Sequence, residues 1–138
     1  MITDAQGVIL LVHTTPANVR DDQPVEHMVK NLPTIAGPRG RPRHQPRALI
    51  GDRGYGFPWL IHLILTMGIV AMLAPRGGTH GSGLGNKRYV VERTLAWFNQ
   101  FRRLRLCYEK CGEHWQGFHD LAACIICAHR LKKRRARL

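Results

Sequence analysis

Gly85-Asn-Lys-Arg-Tyr-Val-Val-Glu-Arg-Thr-Leu-Ala-Trp-Phe-Asn-Gln-Phe-Arg-Arg-Leu-Arg-Leu106 is the stretch on which the fold turns. Its apolar residues Val91, Leu95, Phe98 and Phe101 recur at helical spacing, which predicts one amphipathic helix with a basic outer face. Glu92 is the odd residue in it. No other acid lies between Asp52 and Glu109, and Glu92 stands among Lys87, Arg88, Arg93, Arg102 and Arg103. An acid in such a setting is either a salt-bridge partner or a metal ligand beside a polyanion. A ligand needs a second carboxylate, and Asp52 in Ala48-Leu-Ile-Gly-Asp-Arg-Gly-Tyr55 is the candidate.

Upstream of that stretch the chain alternates short strands and helices. Asp4-Ala-Gln-Gly7 is a turn signal before the apolar run Val8–Val12, so the chain opens on a hairpin with only Met1–Thr3 as its first arm. Asp21 and Asp22 are placed to cap a helix with Pro24 in its first turn and Val25, Met28, Val29 and Leu32 on one face. Residues 33–47 form a loop broken by Pro33, Pro38, Pro42 and Pro46 and carrying Arg39, Arg41, Arg43, His44 and Arg47. A solvated linker and a basic loop beside phosphates fit that loop equally. Ala48–Gly51 reads as a short buried strand that delivers Asp52 at its carboxyl end, the edge at which open α/β sheets bind ligands.

The most apolar segment, Phe57–Ala74, invites a membrane reading. A span needs roughly 20 apolar residues. This one holds His62, Thr66 and Gly68 between Pro58 and Pro75, and Gly68 divides it into a helix, Trp59–Met67, and a strand, Ile69–Leu73. The glycine-rich run 76–85 could present N–H groups to phosphate but lacks the Lys-Ser/Thr ending of a nucleotide-binding loop. Trp115, Phe118, Leu121, Ala122, Ile125, Ile126 and His129 predict a last amphipathic helix, followed by a basic, flexible tail over 130–138.

The totals bear on partners. Lys and Arg number 21 against 9 acids in 138 residues, a formal charge of +12. Such a balance points to nucleic acid first and an anionic membrane surface second. The length suits one domain, 1–138, and 44% hydrophobic residues give it a core. Cys107, Cys111, Cys124 and Cys127 have zinc-like spacing, whereas the apolar run 121–128 makes Cys124 and Cys127 look like buried thiols. No secreted-type cysteine framework or cleavable leader is evident, and a cytoplasmic location without membrane partners is the expectation.

An ordered set of short pieces carries a family resemblance. They are Ala17-Asn18 with Asp21, Gly40-Arg-Pro-Arg43, Asp52-Arg-Gly-Tyr55, Gly68-Ile69 and Ala74-Pro-Arg-Gly77. His80-Gly-Ser-Gly-Leu-Gly85, Val91-Glu-Arg-Thr94, Ala96-Trp-Phe98 and Phe101-Arg-Arg-Leu104 complete it. The chain resembles the C-terminal part of the catalytic domain of bacterial insertion-sequence DDE transposases. The resemblance implies an α/β, RNase H-like core in which three acids bind two divalent ions, Mg²⁺ or Mn²⁺. Asp52 matches the second acid and Glu92 the third, with Arg88 four residues before it. Gly85 and Asn99 depart from the tyrosine and lysine often found there.

The family's first acid belongs to a strand before the hairpin, and Asp4 matches the hairpin turn instead. The resemblance therefore implies a core that lacks its first strand, an incomplete or complementation-dependent fragment. DNA is the implied partner, together with an upstream polypeptide supplying that strand and a DNA-binding domain. Metal-dependent strand cleavage and strand transfer are the implied chemistry. Arg53, Lys87, Arg88, Arg93, Arg102 and Arg103 are the candidate DNA contacts. A non-enzymatic basic nucleic-acid-binding protein is the rival reading, and a small membrane protein a further one.

Overall fold

The computed structural model describes residues 1–37, 40–75 and 85–136, the last range without the side chains of 85–88. The chain divides into two compact units, Met1–Pro16 with Val90–Leu138, and Ala17–Tyr89.

The first unit begins with the antiparallel hairpin β1 (Ile2–Thr3) and β2 (Ile9–Leu11). Its turn is built by Asp4, whose Oδ1 accepts the N–H groups of Gln6 at 2.9 Å and Val8 at 2.8 Å. Gly7 takes φ +84°, a left-handed conformation that favours glycine. Space demands glycine as well: a Cβ there would lie 2.9 Å from Thr94 Oγ1 and 3.0 Å from Val90 Cγ1. The hairpin packs on the C-terminal part of α3 (Gly85–Phe98) and on α5 (Gly112–Arg135). Phe98, Ala122 and Ile126 are the buried centre, with Met1, Ile9, Val12, Trp97, Phe101 and Leu104 against it.

The helix expected across 85–106 is two helices. After α3 the N–H groups of Gln100 and Phe101 bond back only three residues, to Trp97 and Phe98. Phe101 is extended, and α4 (Arg102–Arg105) starts beyond it. The burial pattern also differs from the sequence periodicity. Leu95 is exposed, and Thr94, completely buried, takes its place. The Thr94 hydroxyl is satisfied by donating to Val90 O at 2.9 Å, with Gly7 O at 3.3 Å, so the polar group costs little to bury. On α5 the core face is Trp115, His119, Ala122 and Ile126; Leu121 and His129, expected inside, are exposed. The basic segment after Arg130 continues α5 to Arg135.

The second unit is a βαβ element. β3 (Ala48–Gly51) and β4 (Val70–Leu73) pair in parallel in the register Ala48↔Val70 to Gly51↔Leu73. α2 (Pro58–Thr66) connects them, opened by Pro58 and closed by Gly68 at φ +75°. Both strands match the sequence reading, although β3 is half-buried. Leu60, Ile64 and Ile69 are fully or almost fully buried, with Val29 and Met28 of α1 (Val25–Lys30) also inside. Each such burial contributes roughly 1.5–3 kcal/mol.

α1 is not capped as expected. No side chain caps it, and Pro24 occupies the cap position. The Asp22 carboxylate is taken by Arg20, whose Nε and Nη2 donate to its two oxygens at 3.0 and 2.9 Å. The loop that follows is closed by a bridge in which Ile35 and Arg43 exchange two backbone hydrogen bonds of 2.9 Å. Pro38, Arg39 and the glycine-rich run 76–84 lie outside the described residues. Among the described residues no helix is long and apolar enough to cross a membrane, and Phe57–Ala74 is a helix and a strand.

Candidate metal and nucleic-acid site

Asp52 sits where β3 ends. It is exposed and caps the 3₁₀ turn Arg53–Tyr55, its Oδ1 accepting the Gly54 N–H at 2.8 Å. A Cβ at position 54 would lie 2.9 Å from that oxygen, which explains glycine there. The capping bond fixes the carboxylate at the strand end and uses one oxygen.

The residue that follows the turn, Phe57, is contacted by the segment 20–22. Arg20 grips Asp22 with two hydrogen bonds and lies over the Phe57 ring at 4.3 Å. Asp22 is 3% exposed, so this pair is a buried clamp on its acidic side and a surface contact on its basic side. Tyr55 projects into the same neighbourhood. Burial pushes its hydroxyl above the ordinary 10.0, and the charges of Asp21, Asp52 and Asp22 push it further. Neutral Tyr55 is favoured in the folded chain, so its contribution to stability is complete below about pH 10 and is lost as pH rises above that. Tyr55→Phe is therefore expected to lose less stability than the parent chain between pH 9 and pH 11, measured by urea unfolding at each pH. An equal loss in both proteins would contradict this placement of Tyr55.

Glu92 belongs to the first unit and Asp52 to the second. Glu92 is exposed on α3, and among the described residues it makes no ion pair. Arg93, beside it, turns towards the hairpin: its Nη2 donates to Gln6 O at 3.3 Å and its guanidinium is 5.7 Å from the centre of the Trp97 ring. Arg130 of α5 joins it there, donating to Gly7 O and Gln6 O at 2.6 Å each. Of the other candidate DNA contacts, Arg102 is exposed on α4, and Arg103 bonds Glu109 at 3.1 Å and lies over Phe118 at 4.7 Å. Arg53 is half-buried in the turn after Asp52. The side chains of Lys87 and Arg88 lie outside the described residues.

Sequence reasoning missed the Arg20–Asp22–Phe57 clamp and the Arg130 anchor. The Arg20–Phe57 contact and the Arg130 anchor have no local signal, because the partners are 37 residues apart for Arg20–Phe57 and 123 apart for Arg130–Gly7. Cys124 is exposed rather than buried, and so are Cys107 and Cys111. Among the described residues no group of three His, Cys, Asp or Glu side chains is placed to hold a metal ion, the four cysteines included.

An α/β chain with one acid at a strand end and a later acid on a basic helix belongs here to the DDE transposase family: residues 1–111 match the transposase DDE domain. The chain is 39% identical over 133 residues to a protein of Burkholderia cepacia described as a "putative transposase for insertion sequence element IS402". That match takes in 96% of this chain and 63% of the relative's length. No solved structure matches the chain significantly.

Proposed function

We propose that the chain is part of an RNase H-like transposase core that cuts and joins DNA strands with divalent metal, Asp52 and Glu92 acting as two of the metal-binding acids. The single observation that carries this is the Asp52 turn, an exposed carboxylate fixed at the end of a parallel strand in a chain of this family. Its donors fit the group. Asp52 and Glu92 offer hard, exposed carboxylate oxygens of the type Mg²⁺ takes, and the Gly54 bond leaves Asp52 Oδ2 open. When bound, the metal pair activates the attacking oxygen and stabilises the leaving oxygen of an in-line displacement at phosphorus. The Gly54 N–H holds the Asp52 carboxylate in place. Arg102 and the Lys87–Arg88 pair are assigned to the DNA phosphates, as is Arg53. Arg93 and Arg103 serve mainly structure, given their bonds to Gln6 and Glu109.

The family's first acid is proposed to come from outside residues 1–138, on a polypeptide that completes both the metal site and DNA recognition. The 37% of the relative's length beyond the match leaves room for such a segment. Strand cleavage is accordingly expected at background level with this chain alone and to appear when the unmatched portion of the relative is added. Robust cleavage by the chain alone would contradict the assignment of the first acid.

The rival, a basic nucleic-acid-binding protein without catalysis, separates from this reading by metal dependence. Asp52→Ala and Glu92→Ala are each expected to weaken Mn²⁺ binding, measured by water-proton relaxation, while DNA affinity stays equal or rises as a negative charge is removed. Arg102→Ala is expected to lower the slope of log affinity against log salt by roughly 1. Unchanged Mn²⁺ binding in both acid variants would favour the rival.

A further inference from the structure

α5 is amphipathic twice over. One face packs on the hairpin and α3 through Trp115, His119, Ala122 and Ile126. The opposite face carries Leu121, Cys124, Ala128 and Leu131, all exposed, Leu121 by 57% and Leu131 by 61%. Their spacing of three, four and three residues is that of a two-helix seam, and Gly117 one step earlier adds a position with no side chain to obstruct approach. The helix has 24 residues, ~36 Å of seam at 1.5 Å per residue.

The charges along α5 decide what that seam fits. Acids lie towards its start, Glu113 and Asp120, and Lys132, Lys133, Arg134 and Arg135 crowd its end. A parallel partner of the same sequence would place four cations against four. An antiparallel copy places Leu121 against Leu131, Cys124 against Ala128, and Asp120 of each copy beside Arg134 of the other. Opposite charges at such flanking positions select orientation. We propose that the exposed face of α5 is a self-association surface through which two copies of this chain pair by antiparallel α5 helices. Ile125, half-buried beside the seam, then lies near its own copy at the centre of the contact. A single helix seam is at the small end of specific interfaces, under roughly 1,200 Å², and gives a weak dimer that forms at micromolar concentrations or above.

Sedimentation equilibrium of the full chain over a concentration series tests this directly. A reversible dimer is expected. Leu121→Asp is expected to weaken it about 10-fold or more, the loss of one buried leucine contact per copy. Asp120→Lys is expected to weaken it too, and adding Arg134→Asp to that variant to restore it, a rescue that general destabilisation would not produce. Thiol oxidation distinguishes the orientations. In a Cys107→Ser, Cys111→Ser, Cys127→Ser background, covalent dimers are expected after Ala128→Cys and not before it. Monomer at every concentration would overturn the proposal. So would a dimer indifferent to Leu121→Asp, or cross-linking of Cys124 to its own counterpart without the introduced thiol. Loss of the dimer upon adding the unmatched portion of the relative, with Leu121→Asp blocking uptake of that portion, would assign the face to that polypeptide instead.

Discussion

Replacing Arg20 by alanine is expected to destabilise the second unit by on the order of 3 kcal/mol, because it leaves the Asp22 carboxylate buried without its partner. For a chain of this size that is a fall in melting temperature of roughly 10 °C. The guanidinium is more than half exposed, so its own desolvation is small and the effect comes from the acid it abandons. Removing both partners tests the cause. Arg20→Ala with Asp22→Ala is expected to be more stable than Arg20→Ala alone, since no charge remains to be buried. Thermal unfolding of the three proteins by circular dichroism gives the comparison. A double variant no more stable than the single one would show that packing of Arg20 on Phe57, not the ion pair, holds the turn.

That clamp also marks the boundary of what the amino-acid sequence tells. The βαβ element was legible: Gly68 divides an apolar run that is long enough to mislead, and Asp52 falls at the strand end where the pattern puts it. The hairpin turn was legible for the same local reason, since Asp4 and Gly7 build it within four residues. Periodicity failed where a polar side chain found partners. Thr94 went inside because a turn carbonyl from the hairpin and one from its own helix meet its hydroxyl, and Leu95 was left out. Asp22 was read as a cap because caps are local, whereas its bond to Arg20 fixes a segment against Phe57. Leu121 was read as core because one helix with two apolar faces gives a single blurred stripe. The two acids proposed for the site rest on Glu92's isolation among cations and Asp52's strand-end position, together with the family pattern.

The second large effect concerns chemistry. With the completing polypeptide present, Glu92→Gln is expected to reduce Mg²⁺-dependent strand cleavage by about 10²-fold or more while leaving the melting temperature within about 1 °C. Gln keeps the size of the side chain and removes the charge proposed to hold metal, and small displacements of reacting groups cost factors of this order. Glu92 is exposed and makes no ion pair among the described residues, so its loss should not disturb the fold. A variant that cuts DNA as well as the parent would remove Glu92 from the site. Asp52→Asn should follow the same pattern, with a small loss of stability added through the weakened cap on Gly54.

Iron-directed backbone cleavage tests the central claim most directly. Fe²⁺ occupies Mg²⁺ sites of carboxylate type and, with ascorbate and peroxide, cuts the polypeptide near the bound ion. If Asp52 and Glu92 share a metal, cuts are expected both beside 52 and beside 92, suppressed together by excess Mg²⁺. Both sets should vanish in Asp52→Ala and in Glu92→Ala alike. Cuts at only one of the two positions, or cuts at 52 that survive Glu92→Ala, would show that the two carboxylates do not hold the same ion.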